Sequence, residues 1–442
     1  MRPIGIDLFC GVGGLSLGFE QAGFDVVAAV EYDPVHAAAH AFNFPACATM
    51  ARSVIGLSGE EIRHAAGIGD RKIDVVFGGA PCQGFSLMGQ RALDDPRNML
   101  VREFVRIVRE LEADYFVFEN VKGLTLGPQR KFLDEVIEEF KNAGYSIRHP
   151  WRVLNAAAYG TPQDRERLIL MGARSRKKVP EYPEPLFADP NVRTGDLFEL
   201  ERGPTCQEAL RDLPDAEQFA ELNDTDSVAC RKWTKPSAYG SEMRALSQGA
   251  WHFGYRREWK PNVLTASMRT EHTAISRRRF KQTEAGSVEP ISRFFKLPPD
   301  GLANTLRAGS DSARGAFTSP RPIHYLYPRC ITVREMARLH GFPDWFRFHQ
   351  TKWHGARQIG NAVPPPLARA VASEILRAAG YKATRPKTVL PLGASTLLLM
   401  GMAEASEYWG VVVPIGPRNR KSGIRKRKQE EIEAQLRKEK YA

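Results

Sequence analysis

The chain has 442 residues, of which 43% are hydrophobic and 26% are charged, the ordinary balance of a globular protein. A signal peptide is not indicated, because Asp7 interrupts the first apolar run, and the apolar runs are too short for a membrane span. The six cysteines are scattered without a C-x-x-C pair, which argues against a structural zinc site or a disulfide framework. We therefore expect an intracellular, cytoplasmic protein without a bound metal.

The chain is basic, with 63 Lys and Arg against 51 Asp and Glu and a formal net charge of +12. This balance favours a polyanionic partner such as nucleic acid. About half of the excess lies in the C-terminal tail, where residues 418–440 hold ten Lys and Arg and four Asp and Glu. A solvated helix without a partner explains that tail equally well, so its role stays open.

The first 178 residues alternate apolar strands with amphipathic helices. The predicted strands are IGIDLF, DVVAAVE, IDVVFGG, YFVFENV and RLILMGAR. The predicted helices are LSLGFEQAGF, PVHAAAHAFNF, RNMLVREFVRIVRELEA and QRKFLDEVIEEFKNAGY. The second helix begins at Pro34 after an N-cap at Asp33, and Gly144 ends the fourth. Strands rich in Val, Ile and Phe that alternate with helices predict an α/β fold with a parallel, doubly wound sheet.

The alternation stops after Lys178. Prolines and charges become frequent in VPEYPEPLFADPNV, and basic residues mix with aromatic ones in WHFGYRREWK and RRRFK. Helices return with VREMARLHGF and NAVPPPLARAVASEILRAAGY. This composition predicts a second, smaller, loop-rich domain between the two helical parts.

The loop DLFCGVGG joins the first predicted strand to the first helix. Gly11, Gly13 and Gly14 allow positive φ angles and a close approach of the backbone to a ligand, and the amides of the next helix point to the same place. Glu31 ends the second strand, where a carboxylate can accept hydrogen bonds from both ribose hydroxyls of a nucleotide-like cofactor. The spacing is not the G-x-G-x-x-G of dinucleotide binders, which favours another adenosine-bearing cofactor over NAD. A tight turn without a ligand is the alternative.

The stretch GGAPCQGFS places Cys82 just after a strand that ends at Gly78 and Gly79. Open α/β sheets bind ligands at the carboxyl edge of their strands. Cys82 is therefore either a nucleophile at that edge or an inert, packed side chain. The neighbouring Pro81 and Gln83 argue against a core position.

Polar side chains follow two further strands. Glu119 and Asn120 end the strand in VFENV, so they reach the same edge, and the carboxylate there is either functional or paired as a cap or an ion pair. In PQDRERLILMG, side chains alternate between faces, so Gln163, Arg165 and Arg167 share one face. Two arginines on one face can stabilise a thiolate or hold a phosphate, whereas a surface ion-pair cluster is the alternative.

Six stretches follow one another along the chain in this order: DLFCGVGGLSLGFEQAGF, GGAPCQGFS, FENV, QDRER, VREMARLHGFPD and QIGNAVPPPLA. In sequence and order they resemble the motifs of the DNA cytosine-5 methyltransferases, over residues 3–380. The resemblance implies a Rossmann-like, S-adenosylmethionine-dependent methyltransferase domain, with a target-recognition domain in the long gap. The chain from Thr384 onward lies outside it.

The resemblance implies roles for four catalytic residues. The cysteine of the family's P-C-Q motif is the nucleophile, so Cys82 would add to carbon 6 of cytosine. Glu119 would hold ring nitrogen 3 and supply a proton there. Arg165 and Arg167 would help to hold the cytosine and its sugar-phosphate and would favour the thiolate. Carbon 5 then takes a methyl group from S-adenosylmethionine, and loss of its proton expels Cys82. A stacked base cannot react in this way, which implies base flipping.

The resemblance also implies the cofactor pocket. Its residues would be Phe9, Gly11, Gly13, Gly14, Glu31, Asn361 and Val363. The last two belong to GNAV near the C-terminus, so the helix that follows should pack back on the first domain. Where the family usually carries an acidic residue near the adenine amine, MARSVIG offers Ser53, which leaves adenine recognition open.

The expected domains are a catalytic and cofactor-binding domain at 1–178, completed by 355–380, a target-recognition domain at 180–350, and a C-terminal extension at 384–442. The expected activity is that of a sequence-specific DNA (cytosine-5) methyltransferase of the bacterial modification type. It would act as a monomer on double-stranded DNA, with or without a cognate restriction endonuclease that acts independently. A tRNA cytosine-5 methyltransferase and a catalytically silent DNA-binding relative are the alternatives. The long basic middle region favours DNA, and the intact set of catalytic residues argues against a silent relative.

Overall fold

The structure is a computed structural model that describes residues 2–81, 98–127, 129–189, 200–309 and 319–413. Cys82 and the basic tail at 418–440 lie outside the described residues. Within the described ranges, the first part of the chain forms a mixed sheet with helices on both faces.

Within the described residues, eight strands build the main sheet. They are β1 Ile4–Leu8, β2 Asp25–Glu31, β3 Ala48–Ala51, β4 Val75–Gly78, β5 Tyr115–Val121, β6 Tyr145–Ile147, β7 Arg152–Asn155 and β8 Glu166–Arg174. Their order is β3-β2-β1-β4-β5-β8-β6, and β7 also pairs with β8. The first five strands are parallel, whereas β8 runs antiparallel to β5, β6 and β7.

Four two-residue strands lie outside this sheet: β9 Val228–Ala229, β10 Arg256–Arg257, β11 Val263–Leu264 and β12 Val389–Leu390. Strand β11 pairs with β9, and β10 pairs with β12. The second pair joins the loop-rich region to the C-terminal part of the chain.

The helices of the described ranges are α1 Gly14–Ala22, α2 Pro34–Asn43, α3 Gly59–Ala65, α4 Met99–Glu110, α5 Gln129–Asn142, α6 Cys206–Leu210, α7 Ala238–Met243, α8 Ala274–Gln282, α9 Val333–Leu339, α10 Lys352–Asn361, α11 Pro365–Ala378 and α12 Met402–Trp409. Helix α2 begins as predicted, because the Asp33 side chain accepts hydrogen bonds from the amides of Val35 and His36. Pro34 takes the first helical position, where its missing N–H is not needed. None of the described helices is long and apolar enough to cross a membrane.

Alternate side chains of the strands pack against helices on opposite faces of the sheet. On one face, Phe116 of β5 stacks on Phe140 of α5, and Phe118 packs edge-on against Phe104 of α4. On the other face, Phe77 of β4 stacks on a phenylalanine of α1 with ring centroids 3.7 Å apart. Both faces are therefore buried, which confirms the predicted doubly wound, Rossmann-like architecture.

Helix α11 returns to the first part of the chain and lies against α1. A Cβ placed on Gly18 would come within 2.3 Å of the Cβ of Ala368, so the two helices touch where only a glycine fits. Val371 and Ile375 of α11 are buried in the same apolar cluster as Phe19 of α1. The prediction that this late helix packs on the first domain is confirmed.

The loop-rich region shares an apolar core with α2. Phe42 and Phe44, at the C-terminal end of α2, lie in one cluster with Phe346 and other buried side chains of the region. Inside the region, the fully buried Arg338 of α9 donates from Nη1 to Oδ1 of Asp212 at 2.9 Å. A buried charge needs such a partner, since an unpaired one costs several kcal/mol.

The two basic, aromatic stretches of this region have different surroundings. In WHFGYRREWK, Arg257 is buried and pairs with Glu20 of α1 at 2.7 Å, while the Tyr255 hydroxyl hydrogen-bonds to a carboxylate of β2. This stretch therefore serves contact with the first domain. In RRRFK, by contrast, α8 exposes Arg278 and Lys281 to solvent.

The sheet differs from the prediction in its last strands. The expected parallel direction is wrong for β8, because a run of apolar residues does not reveal the direction of a strand. Only residues 156–165 separate β7 from β8, too few for the helical crossover that parallel neighbours need. The short strands β3, β6 and β7 were not predicted, since three or four residues carry too little pattern.

Candidate active site

Loops from several strands meet at the carboxyl edge of the parallel sheet. They follow β1, β2, β4 and β5. The first residues of β8 join them, because this strand runs antiparallel and pairs Arg167 with Val121 at the end of β5. The antiparallel direction of β8 thus brings the arginine motif to the edge that the sequence predicted for the cysteine loop.

Glu119 lies near the end of β5 and forms an ion pair with Arg167. The Oε1 atom of Glu119 is 2.7 Å from Nε of Arg167, and each side chain is only 12% exposed. Burial raises the pKa of the Glu119 carboxyl above its ordinary value, while the charges of Arg167 and Arg165 oppose that rise. A carboxyl that keeps its proton more readily than in water is suited to general acid chemistry.

The loop after β4 runs directly against this carboxyl. A Cβ on Gly79 would lie 2.5 Å from Oε2 of Glu119, so a larger residue would push the carboxylate aside. The Nδ2 of Asn120 donates to the carbonyl oxygen of Ala80 at 3.0 Å. These contacts fix the backbone two residues before Cys82, which itself lies outside the described residues.

Arg165 has other partners than Arg167. Its buried guanidinium donates to the carbonyl oxygens of Leu306 at 2.9 Å, Gly360 at 2.8 Å and Ala362 at 3.0 Å. Within the described residues, its Nε has no hydrogen-bond partner. The two arginines therefore have different roles. Arg167 pairs with the Glu119 carboxylate, and Arg165 holds residues 306 and 360–362 against the start of β8.

A buried glutamine and histidine complete this junction. The Nε2 of Gln163 donates to Nδ1 of His340 at 2.9 Å, and its Oε1 accepts from the amide of Leu306 at 3.0 Å. His340 then donates from Nε2 to the carbonyl of Ala362 at 3.0 Å. Burial lowers the pKa of His340 far below its ordinary value, so the ring is neutral and one nitrogen accepts while the other donates. Sequence reasoning did not single out His340, although the residue lies in the stretch VREMARLHGFPD.

The glycine loop after β1 has an unusual backbone. Phe9, Gly11 and Gly13 have positive φ angles of 64°, 54° and 102°. This region is uncommon for a residue with a side chain such as Phe9. A Cβ on Gly14 would lie 2.3 Å from the carbonyl oxygen of Val363, whereas one on Gly11 would meet no atom within 4 Å. The loop is thus closed by the late GNAV segment on one side and open beside Gly11.

Glu31 sits at the open side of this loop. Its Oε2 accepts from the amide of Gly11 at 2.8 Å, and its Oε1 accepts from the amide of Asp33 at 2.8 Å. Burial raises the pKa of the Glu31 carboxyl, and nearby His36 and the two amides oppose that rise. Each oxygen keeps a lone pair for a further donor, which matches the two hydroxyls of a ribose.

The two remaining predicted cofactor residues and Ser53 have different surroundings. Val363 is 5% exposed and contacts Gly14 through its carbonyl, whereas Asn361 is exposed at the end of α10. Ser53 follows β3, and its hydroxyl oxygen accepts from the amide of Ile55 at 3.1 Å. The Ser53 side chain thus has a local partner within its own turn.

A buried polar chain behind the loop was missed by sequence reasoning. Ser16 donates from Oγ to Oδ2 of Asp7 at 2.6 Å and contacts Nε2 of His40 at 3.0 Å, and the His40 Nδ1 contacts the hydroxyl of Thr49 at 2.9 Å. Burial raises the pKa of Asp7 to about 8 and lowers that of His40 to about 3. Asp7, the fourth of the five residues of β1, therefore keeps its proton at neutral pH. The one signal was an acidic residue inside an apolar strand.

Similarity to known proteins agrees with this geometry. The sequence profile of C-5 cytosine-specific DNA methylases matches residues 4–377. The chain is 58% identical to Type II methyltransferase M.XorII of Xanthomonas oryzae pv. oryzae over 93% of each chain. It is 32% identical to Type II methyltransferase M1.HphI of Haemophilus parahaemolyticus over 84% of this chain and 86% of the relative.

A solved structure has the same fold. It is described as a DNA modification methyltransferase encoded within a prophage (E. coli), with 32% sequence identity and a TM-score of 0.67. The match covers 86% of this chain and 99% of that one. The chain therefore belongs to the C-5 cytosine-specific DNA methylase family and is a DNA cytosine methyltransferase.

Proposed function

We propose that the protein transfers a methyl group from S-adenosylmethionine to carbon 5 of a cytosine within a specific DNA sequence. It would do so as the modification enzyme of a Type II restriction-modification system, the class named for its relatives. The observation that carries the proposal is the Glu119–Arg167 ion pair, which lies against Gly79 in the loop that leads to Cys82. This arrangement supports acid catalysis beside a cysteine nucleophile.

The residues of the glycine loop fit S-adenosylmethionine. The Glu31 carboxylate is held by two backbone amides with a lone pair free on each oxygen, and the space beside Gly11 is open. We assign Glu31 to the ribose, the loop from Phe9 to Gly14 to the rest of the cofactor, and Asn361 and Val363 to the cover over it. When bound, the cofactor supplies a methyl group that its sulfonium activates.

The chemistry at the base falls to Cys82 and Glu119. The thiolate of Cys82 forms a bond to carbon 6 of the cytosine, while Glu119 donates its proton to ring nitrogen 3. Because the ring gains that proton as it gains the thiolate, negative charge does not build up and carbon 5 becomes nucleophilic. After methylation, loss of the carbon 5 proton to solvent restores the double bond and expels Cys82 as the thiolate, and ring nitrogen 3 returns its proton to Glu119.

The arginines prepare this reaction. Arg167 fixes the carboxyl of Glu119 in place and limits the rise of its pKa, so the group can return to the ionised form after each proton transfer. The Nε of Arg165, which has no hydrogen-bond partner among the described residues, would give the site a buried donor for the base or its phosphate. The three carbonyls around Arg165 also couple the start of β8 to residues 306 and 360–362.

We further assign DNA recognition to the region 180–350. Phosphate contacts by basic side chains dominate the affinity of such complexes, and loop side chains set the sequence. Arg278 and Lys281 of α8 are exposed and suited to phosphate contact. The target base would be flipped out of the duplex, with a few kcal/mol of unstacking offset by contacts in the pocket. The boundaries at 178, 355–380 and 384, a monomeric state and an independent cognate endonuclease remain parts of this proposal.

Methyl transfer from labelled S-adenosylmethionine tests the proposal. Plasmid DNA and tRNA are offered separately to the wild type, to Cys82→Ala and to Cys206→Ala, a matched control at a buried cysteine of the second region. We expect label in DNA with the wild type and the control, and none with Cys82→Ala although it still binds cofactor. Bisulfite sequencing of the plasmid should then show one recurrent target sequence.

Three outcomes contradict parts of the proposal. Label in tRNA alone refutes a DNA substrate, and label in neither nucleic acid refutes the activity. Turnover of Cys82→Ala close to that of the wild type refutes the role of the thiolate.

A further inference from the structure

The family profile ends at residue 377, but the described chain continues to residue 413 and stays packed on the protein. We call residues 381–413 the C-terminal strap. It starts at the amino edge of the sheet, where the Tyr381 hydroxyl donates to Oδ1 of Asp74 at 2.9 Å. Strand β12 of the strap then pairs with β10 of the loop-rich region. The strap therefore bridges the two parts of the molecule.

The strap next lies along helix α2. The amide of Gly393 donates to the carbonyl of Phe42 at 2.8 Å, and a Cβ on Gly393 would be 2.8 Å from the Cα of Phe42. Leu397 and Leu398 are buried in the apolar cluster that contains Phe42. These contacts hold the C-terminal end of α2, where His40 and Phe44 lie against Gly13 of the glycine loop.

The last described helix of the strap reaches the other end of α2. The Trp409 indole donates from Nε1 to the carbonyl of Pro34 at 3.2 Å. Ala405 and Ser406, one turn earlier in α12, are fully or almost fully buried. The strap thus contacts α2 at both ends, and its Trp409 indole bonds to Pro34, the first residue of the helix.

That residue adjoins the group assigned to the cofactor ribose. Pro34 follows Asp33, whose amide donates to Oε1 of Glu31 and whose side chain caps α2. Two residues, Pro34 and Asp33, therefore connect the indole contact to the amide that binds the carboxylate. The bond from the Trp409 indole to the Pro34 carbonyl therefore adds a third contact to the start of α2, beside the Asp33 cap and the bond from the Asp33 amide to Glu31.

We propose that Trp409 is a positioning residue for cofactor binding, which it supports by holding the Glu31–Pro34 turn through the Pro34 carbonyl. This inference rests on the proposed role of Glu31 in binding S-adenosylmethionine. Trp409 does not touch the cofactor in this account. It sets the orientation of the carboxylate, so its loss changes affinity for the cofactor rather than the chemical step.

The test compares full-length Trp409→Phe with Tyr408→Phe. The first variant removes the indole donor and keeps an aromatic ring, and the second removes a hydroxyl from the exposed neighbouring residue. Calorimetry measures the Kd for S-adenosylhomocysteine, and steady-state kinetics measures the KM for S-adenosylmethionine and kcat. Loss of one hydrogen bond predicts a rise of about three- to tenfold in Kd and KM for Trp409→Phe, with kcat within about twofold of the wild type. Tyr408→Phe should match the wild type.

Amide hydrogen exchange provides a second measurement that does not depend on activity. Peptides covering residues 31–36 should exchange faster in Trp409→Phe than in Tyr408→Phe, because the turn opens more often. An unchanged Kd in Trp409→Phe, with or without a lower melting temperature, overturns the inference while wild-type binding leaves the proposed function intact. A wild type that does not bind S-adenosylhomocysteine overturns the proposed function, and the inference with it.

Discussion

The ion pair between Glu119 and Arg167 makes a sharp prediction about stability and pH. The perturbation is Arg167→Met, which keeps the length of the aliphatic stem and removes the cation 2.7 Å from the Glu119 carboxylate. Opposite charges at that distance attract by about 6 kcal/mol at an effective dielectric of 20. Part of this is offset by the desolvation of the arginine, so leaving the carboxylate unpaired should cost about 3 kcal/mol.

The destabilisation caused by Arg167→Met depends on pH, because Glu119 becomes neutral when it binds a proton and then no longer needs a cation beside it. Burial raises the pKa of this carboxyl, so in the pH range between its values in the unfolded and folded states the folded protein binds more protons than the unfolded chain. For such a group stability is greatest at low pH and falls as pH rises. Removal of Arg167 raises the pKa of Glu119 further and steepens this fall. We expect Arg167→Met to lose about 1 kcal/mol at pH 5.5 and about 3 kcal/mol at pH 8.5.

Urea unfolding followed by tryptophan fluorescence at pH 5.5, 7.0 and 8.5 measures the effect. The control is the double variant Glu119→Gln with Arg167→Met, which lacks the titrating carboxyl and should show a destabilisation that is the same at each pH. Equal destabilisation of Arg167→Met at all three pH values would refute the reasoning. A pH-dependent loss that persists in the double variant would assign it to another group.

Three further predictions concern the cofactor loop and the junction. Gly14→Ala should weaken S-adenosylhomocysteine binding at least tenfold in calorimetry and lower stability by about 1–3 kcal/mol, because its Cβ would meet the Val363 carbonyl at 2.3 Å. Asp7→Asn should give a flatter profile of melting temperature between pH 4 and 8. The pKa of Asp7 is raised to about 8, so the stability of the wild type falls over that window, whereas asparagine does not titrate. The amide oxygen of asparagine can still accept the hydrogen bond from Ser16. Arg165→Met should lower the unfolding free energy by about 3–5 kcal/mol in urea titrations, because three buried carbonyls lose a charged donor.

Much of the fold could be predicted because the strands at the centre of the sheet lie in continuous apolar runs. The pattern of β1, β2, β4 and β5 places their last residues at one edge, which brings Gly79, Glu119 and Glu31 to the same side of the molecule. The direction of β8 could not be predicted, because antiparallel and parallel strands share the same residue pattern. The direction of β8 follows instead from the short connection to β7, because two consecutive strands that pair directly after a short connection run antiparallel.

The site was predicted less completely than the fold. The alternation of side chains in an extended chain placed the two arginines on one face. Their hydrogen-bond partners could not be predicted, because Leu306 and Ala362 lie far from Arg165 in sequence. His340 bonds to Gln163, and Asp7 bonds to Ser16. Neither pairing could be read from the sequence. A lone polar residue beside apolar ones signals that a partner exists without naming it.

The covalent bond between Cys82 and the target base is the central claim, and trapping that bond is its most direct test. DNA with 5-fluorocytosine in the recognised sequence allows the thiolate to add and the methyl group to transfer, but the fluorine cannot leave as a proton does. We expect a cofactor-dependent complex that survives denaturing electrophoresis, with mass spectrometry locating the bond at Cys82, and no complex with Cys82→Ala. The absence of a complex from an active wild-type enzyme, or a bond to another residue, would contradict the account.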